Sequence, residues 1–507
     1  FFGAFTVPTR RRINAPSMGR RTFLYGLAAT TAAAPLATWG IRQAPTLVES
    51  PGAGPIAAKI STSPLVDAVT MMIDDAAVGT HAITDALHPL RGFVKDITRD
   101  EPFSQFALTW PGDDNLQLYV RAEREDGSFG PWFHADSHGP MNNSGQSGTE
   151  LLFVEPTRRV QVSTVGLNLL EGLDPRNIIG IDNLDPATIG GGLQELVSAT
   201  AALSLNAVQA VFIDGVEQVG EVIQPVAYES SIAGAPNVIS RAAWGADESI
   251  RSGSSSYSTF KGTCIHHTAG SNNYSESQGP AIVRGIYAYH AKTLGWGDVG
   301  YNALVDKYGN IYEGRYGGLD KNIEGAHAGG FNNGTFGISV MGNHDQLEIP
   351  DAAVTALGEM VGWRMKVGGV DPMSTAALTS AGYSKARYSS GQTVNLPAIF
   401  GHRDTGYTSC PGTFGYQQMD AIRAAAKAKF DGAGGAGIAG RSTGPNNQDG
   451  EAASIPPIPG AGESGDNGGS LGNVETPTPG EVVGEFLTES LPTNPAEATQ
   501  AWFAPQN

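Results

Sequence analysis

Three short stretches of the chain carry residue types that can do chemistry. Cys264-Ile265-His266-His267-Thr268-Ala269 groups a thiol with two imidazoles. Gly300-Tyr301-Asn302 places a phenol at the start of a strand-like run. Gly401-His402-Arg403-Asp404 is followed by Thr408-Ser409-Cys410-Pro411-Gly412. Cys and His are preferred donors to zinc, and a catalytic zinc takes three protein ligands and keeps a further position open. A strand-end histidine and a distant H-x7-C loop can together supply two imidazoles and one thiolate. Neither fragment is specific alone, since a His-His pair or an isolated H-x7-C is more often structural than ligating.

Cys264 and Cys410 are the chain's two cysteines. They can form one disulfide, or Cys410 can be a metal ligand, and the two readings exclude each other because a bridge removes the thiolate. Cys264 precedes His266 by two residues, so on a strand both point to one face.

The elements that must position these groups lie in residues 236–430, where strand-like and helix-like segments alternate. CIHHT and YNALVD read as strands. Ala281–Thr293 and Ala352–Val367 read as amphipathic helices. A last helix is expected over Tyr416–Phe430, preceded by Gly415, a weaker N-cap than Ser, Asp or Asn. Residues 93–230 are β-rich: 103–110, 116–123, 150–156 and 158–166 alternate or run with apolar β-formers. Turn signals such as Pro111-Gly112 and Asp126-Gly127 separate some of them. A small β-sandwich is expected there. Its Trp110 and Trp132 are either a glycan-binding surface or core, and core is the commoner fate of large aromatics.

Residues 41–92 read as a linker with a short helix around Pro64–Ala77, and 431–507 as a disordered Gly/Pro/acidic tail. Within residues 1–40, Arg20-Arg21 precedes a mildly apolar, Ala-rich run just after Met18, which resembles a twin-arginine export signal. The expected location is therefore secreted or cell-envelope. That run is too short and weak to span a bilayer, and no later run is long enough, so no transmembrane helix is expected. The 507 residues carry a formal net charge of −18, which argues against nucleic acid as a partner. Nothing in the pattern specifies an oligomeric state.

Five ordered pieces of 236–430 resemble the peptidoglycan recognition protein and type 2 N-acetylmuramoyl-L-alanine amidase family. They are ISRAAWGA (239–246), CIHHTAG (264–270), GWGDVGYNALVDKYGNIYEGR (295–315), GAHAGGFNNGTFGISVMGN (325–343) and GHRD...TSCPG (401–412). The resemblance implies an α/β domain with a central mixed β-sheet flanked by helices. It implies Zn2+ held by His266, His402 and Cys410, with His267 a neighbour, and a catalytic role for Tyr301. Thr408 stands where some members carry lysine and would offer a neutral hydrogen bond. His327 would line the substrate groove and assist proton transfer as a catalytic residue, or serve as a hydrogen-bonded loop histidine. His290 is expected in the core or behind the site, and Asp404 would orient a ligand or its loop. The implied activity is hydrolysis of the amide between N-acetylmuramic acid and L-alanine in peptidoglycan. The alternative is a protein that binds peptidoglycan without cutting it. Members that only bind have typically lost the cysteine, so Cys410 favours the enzyme and the ligand reading over the disulfide. GRYGGLDKNIEGAH departs from the family spacing where stem-peptide preference is read. No H-E-x-x-H occurs, so the common zinc-protease arrangement has no support.

Overall fold

The computed structural model describes residues 54–79, 91–141, 144–181, 193–198, 201–218 and 223–432. The twin-arginine region and the tail beyond Gly432 lie outside the described residues.

The first half is a nine-stranded sheet. Its strands are β1 (Lys59–Pro64), β2 (Val69–Asp74), β3 (Arg91–Pro111), β4 (Gln117–Ala122), β5 (Phe133–Ala135), β6 (Ser137–His138), β7 (Gln146–Thr149), β8 (Leu152–Val165) and β9 (Gln209–Asp214). Short helices α1 (Ala76–Gly79) and α2 (Leu193–Ser198) accompany them. The main order is β1-β9-β3-β8-β4-β5, and the long β3 also takes β2 and β7, so it ties the strands into one network. β4 shows why they form: Leu118, Val120 and Ala122 alternate inward onto a core with Phe106, Val160 and Phe212.

Two expectations change here. The stretch expected as a linker contributes β1 and β2, paired with β9 and β3. The helix expected around Pro64–Ala77 is a single 3-10 turn, Leu65–Asp67, followed by β2. The partner of β1 lies about 150 residues downstream in the register Lys59↔Asp214, so local composition carries no trace of the pairing. Trp110 is core, as the commoner fate suggests: it is fully buried and its indole N–H donates to the Asp114 carbonyl at 3.1 Å. Trp132 is partly buried, donates to Asp75 at 3.0 Å, and its ring face is taken by the Arg121 guanidinium.

The small ladder β10 (Val226–Ala227) and β11 (Asn237–Val238) precedes the second half. There the strands are β12 (Gly262–His267), β13 (Ala303–Val305), β14 (Ile311–Glu313), β15 (Thr335–Val340), the separate hairpin β16 (Thr375–Thr379) and β17 (Thr393–Pro397), and β18 (Ile399–Gly401). The sheet order is β14-β13-β15-β12-β18, with only the β13–β14 pair antiparallel, so the expected mixed sheet is present. Every residue of β12 and β15 is buried, as befits strands covered on both faces.

Helix α3 (Gly279–Ala288) continues through a π turn to Thr293, close to the expected span. Helix α4 (Asp351–Gly368) ends where Gly369 takes φ 69°, a left-handed cap that glycine adopts without steric cost. The single helix expected over Tyr416–Phe430 is two: α5 (Thr413–Gln417) and α6 (Met419–Phe430). The break is at Gln418, whose carboxamide accepts from the Ile349 N–H and donates to the Ile349 carbonyl. Gly415 therefore sits inside α5 and caps nothing.

Helices α4 and α6 cover one face of the second sheet, with Leu357, Met360, Val361 and Ile422 against Ile265, Ile338 and Ile399. Helix α3 is buried along its whole length because it is packed on two sides. Ile282, Val283 and Ile286 share one apolar cluster with Leu304 and Tyr312 of the second sheet and with Ala107, Val211 and Ile213 of the first. Polar ties reinforce this seam. Tyr289 donates to the Thr149 carbonyl at 2.8 Å, and Gln105 donates to the Ile282 carbonyl at 3.1 Å. At Gly270 the backbones approach so closely that a Cβ would meet the Phe153 main chain. This seam fixes how the first sheet lies against the site described next.

Candidate metal centre and active site

β12 delivers His266 near its C-terminal end, and β18 delivers His402 directly after its last residue. These strands are hydrogen-bonded neighbours, with Ile265 opposite Gly401, so the two histidines arrive side by side. Cys410 returns on the loop after the 3-10 turn His402–Asp404. That loop is closed by Arg403 N–H donating to the Cys410 carbonyl at 2.9 Å and by Tyr416 O–H donating to Asp404 at 2.6 Å. Asp404 also accepts from Gly401 N–H, so its role is to hold the loop.

The donor atoms of His266, His402 and Cys410 all lie within 4.8 Å of one another, and all three residues are buried. Cys410 Sγ is 3.6 Å from His266 Nδ1, and the rings of His266 and His402 are 4.6 Å apart. Both cysteines are free, so Cys410 is not lost to a disulfide. The chemistry of the three donors fits zinc. Burial holds His266 and His402 well below the usual imidazole pKa, so both are neutral donors. Burial pushes the Cys410 thiol up, while the His267 backbone N–H donates to its sulfur at 3.4 Å. A cation is the partner that would make a buried thiolate favourable.

A hydrogen-bond chain sets the orientation of His266. Thr335 Oγ1 donates to the Phe331 carbonyl at 2.6 Å, so toward His327 Nε2, 3.4 Å away, it acts as acceptor. His327 Nδ1 is then an acceptor for His266 Nε2–H at 3.0 Å, which leaves the His266 Nδ1 lone pair facing Cys410. A second buried group, Cys264, His266 and His327, also has its donor atoms within 4.8 Å. It would need the ring nitrogen of His266 that this chain engages, so the set with His402 is the better metal site. Cys264 lies on the same strand face as His266, as its spacing implies, and is fully buried.

Tyr301 is next to this cluster, its ring 5.2 Å from that of His266. Burial pushes its phenol well above the usual range, so it is a proton-bearing donor at any physiological pH. His290 lies behind it, stacked on Trp296 at 4.5 Å and accepting from Gly300 N–H. His267 points elsewhere and accepts from His344 N–H through Nδ1.

The neutral hydrogen bond expected of Thr408 is made within the protein. Its hydroxyl donates to Asp136 Oδ2 at 3.0 Å and accepts from Cys410 N–H at 3.1 Å, so its one proton is committed. Asp136 belongs to the first half of the chain, and it also accepts from Ser409 N–H at 2.9 Å. His138 follows it: its ring is stacked parallel to His402 at 6.4 Å and edge-on to Trp296 at 5.6 Å. Gly139 accepts from the Tyr383 hydroxyl at 3.2 Å. The space left between Asp136, His138, Tyr383, Lys385, His402 and Thr408 is about 10 Å³. That is near the least that holds one water. Glu150 is buried on the same side, and burial pushes its carboxyl well above the usual carboxylate range.

Known proteins resemble the chain in two regions. The family model described as N-acetylmuramoyl-L-alanine amidase matches residues 256–413. A model described as Rv3811 N-terminal galactose-binding domain-like matches residues 55–172. Peptidoglycan-recognition protein SC2 of Drosophila simulans is 35% identical over 178 residues, 35% of this chain and 80% of that protein. The chain belongs to the peptidoglycan recognition protein and type 2 amidase family. Another member, the human N-acetylmuramoyl-L-alanine amidase, is 31% identical over 132 residues, 26% of this chain and 18% of that one. The solved structure of Drosophila PGRP-LB, also in the family, aligns with 25% identity and a TM-score of 0.28, covering 36% of this chain and 92% of that chain.

Asp136, His138 and Glu150 went unnoticed in the sequence. They lie outside the stretch that carries the family motifs, and only the packing along α3 brings them to the site. The run His134-Ala135-Asp136-Ser137-His138 was the one available signal, three ionisable side chains at alternate positions across β5, Asp136 and β6.

Proposed function

We propose that this member of the family is an exported, zinc-dependent amidase that hydrolyses the bond between N-acetylmuramic acid and L-alanine in bacterial peptidoglycan. The observation that carries the reading is the convergence of His266, His402 and Cys410 donor atoms within 4.8 Å. His266, His402 and Cys410 would hold the metal. Zinc bound there supplies Lewis acidity, which polarises an amide carbonyl and makes water acidic enough to react near neutral pH. Tyr301 contributes a phenolic donor for the oxygen that gains negative charge. His327 keeps the Nε2 proton of His266 engaged and so orients the ligand ring. Thr408 braces the Cys410 loop by accepting from the Cys410 N–H.

Export by the twin-arginine route, proposed from Arg20-Arg21, would bring a folded protein to the envelope where peptidoglycan lies. Among the described residues no helix is long and apolar enough to cross a membrane.

A second reading, binding without cleavage, is favoured by one observation: Asp136 and His138 leave about 10 Å³ beside His402. Prolonged incubation of the zinc-loaded full chain with soluble peptidoglycan fragments, followed by mass spectrometry, separates the two. The amidase reading expects free stem peptides with L-alanine at their N-terminus, and none from Cys410→Ala. Intact fragments recovered with the protein would favour recognition alone.

A further inference from the structure

The metal cluster lies under a piece of the first sheet, and the manner of covering is specific. β5 is at the sheet edge and pairs only with Leu118–Val120 of β4. From it residues 136–139 run across the mouth of the cluster. Ser137 and His138 pair there with Thr149 and Gly148 of β7, the Asp136 carbonyl accepts from Glu150 N–H at 3.1 Å and the Ser137 hydroxyl donates to Asn115 at 2.9 Å, and the remaining ties are to the site. The Asp136 carboxylate takes the Thr408 hydroxyl and the Ser409 N–H, the two groups leading into Cys410. The His138 ring lies over His402 and against Trp296. The Gly139 carbonyl is held by Tyr383, and Lys385 beside it donates to Asn115 at 3.2 Å. His266 and Cys410 are each 1% exposed and His402 is buried as well, so with the segment in place the cluster presents almost no surface to a substrate. The fold therefore cannot take a glycan-linked amide to His402 as it stands.

The covering is built differently from the seam along α3. The seam is broad and apolar, with Ile282, Val283, Ile286, Val211 and Ile213 in one cluster. The segment over the site is short and is held by a two-residue ladder to β7 at the sheet edge, by polar contacts and by one ring stack. Local opening draws on such weakly held segments while the apolar interface stays docked.

We propose that residues 136–139 are an intramolecular plug that holds the metal groove shut, and that substrate gains access only when this edge segment withdraws. The proposal rests on the amidase reading for the meaning of the groove. Closure scales the apparent substrate affinity by the fraction of molecules open, so weakening the plug raises kcat/KM.

Two variants of the full, zinc-loaded chain test it from different sides. His138→Ala removes the ring over His402. Asn115→Ala with Tyr383→Phe cuts the contact from the Ser137 hydroxyl to Asn115 and that from Tyr383 to the Gly139 carbonyl without touching the Cys410 loop. Melting curves confirm that each is folded. Two rates are read: stem-peptide release from peptidoglycan fragments, and zinc transfer to an excess of a chromophoric chelator. The plug predicts that both rates rise at least about tenfold in either variant. Both rates unchanged would overturn the plug, and so would faster zinc transfer with slower release, which would make the segment part of the working site. Faster zinc transfer with no peptide released by any form would uphold the plug and overturn the amidase reading instead.

Discussion

His266 Nε2 and His327 Nδ1 lie 3.0 Å apart, and this contact decides which nitrogen of His266 faces the sulfur of Cys410. Partners of this kind typically change metal affinity 10–100-fold. His327→Ala is expected to weaken zinc binding by about that factor, read by competition with a chelator of known affinity. His327→Asn, whose side-chain oxygen can stand in for Nδ1, should recover most of the loss. Equal zinc affinity in His327→Ala would show that the contact orients nothing.

Tyr301→Phe keeps the ring beside His266 and removes the donor. Loss of one preorganised donor to a developing oxyanion costs about 3 kcal/mol, or roughly a hundredfold in kcat. The expected result is that loss with zinc content unchanged. Wild-type kcat in Tyr301→Phe would take the phenol out of the reaction.

The closeness of the two halves at Gly270 is testable through stability. A methyl group there meets the Phe153 backbone, which is itself tied by Ser271 N–H donating to its carbonyl at 2.6 Å. Overpacking against a main chain typically costs about 1–3 kcal/mol. Gly270→Ala should lower Tm by several degrees, and a Tm equal to wild type would show that the seam yields there.

Lys95 gives a pH prediction. It is fully buried in the first sheet, its ammonium is 3.3 Å from the Ala68 carbonyl, and burial lowers its pKa to about 8. Between about 8 and the unfolded value near 10.4 the unfolded chain holds the proton and the folded chain does not, so stability rises with pH in that window. Lys95→Met should therefore be more stable than wild type at pH 7, by up to about 3 kcal/mol, and the gap should close toward pH 10. Urea melts at both pH values check it, and a gap that does not narrow would contradict it.

The α/β half was legible because its information is local. β12 is an unbroken buried run, α4 has a periodic pattern and a glycine stop, and the metal donors sit in motifs that keep their order. What sequence missed is what depends on distant partners. β1 was read as linker because Ile60 and its neighbours are matched to Phe212 and Ile213, far downstream. The helix break at Gln418 depends on Ile349, a loop residue nearly seventy positions earlier. The motif says that Thr408 offers a neutral hydrogen bond, and only the arrival of Asp136 across the seam shows where its proton goes.

The proposed chemistry requires His266, His402 and Cys410 to grip one metal ion. Elemental analysis of the purified full chain, beside Cys410→Ala prepared in the same way, tests this without depending on turnover. One zinc per chain in the wild type and little or none in the variant is the predicted result. A wild-type chain that retains no zinc, or a variant that retains as much as the wild type, would contradict it.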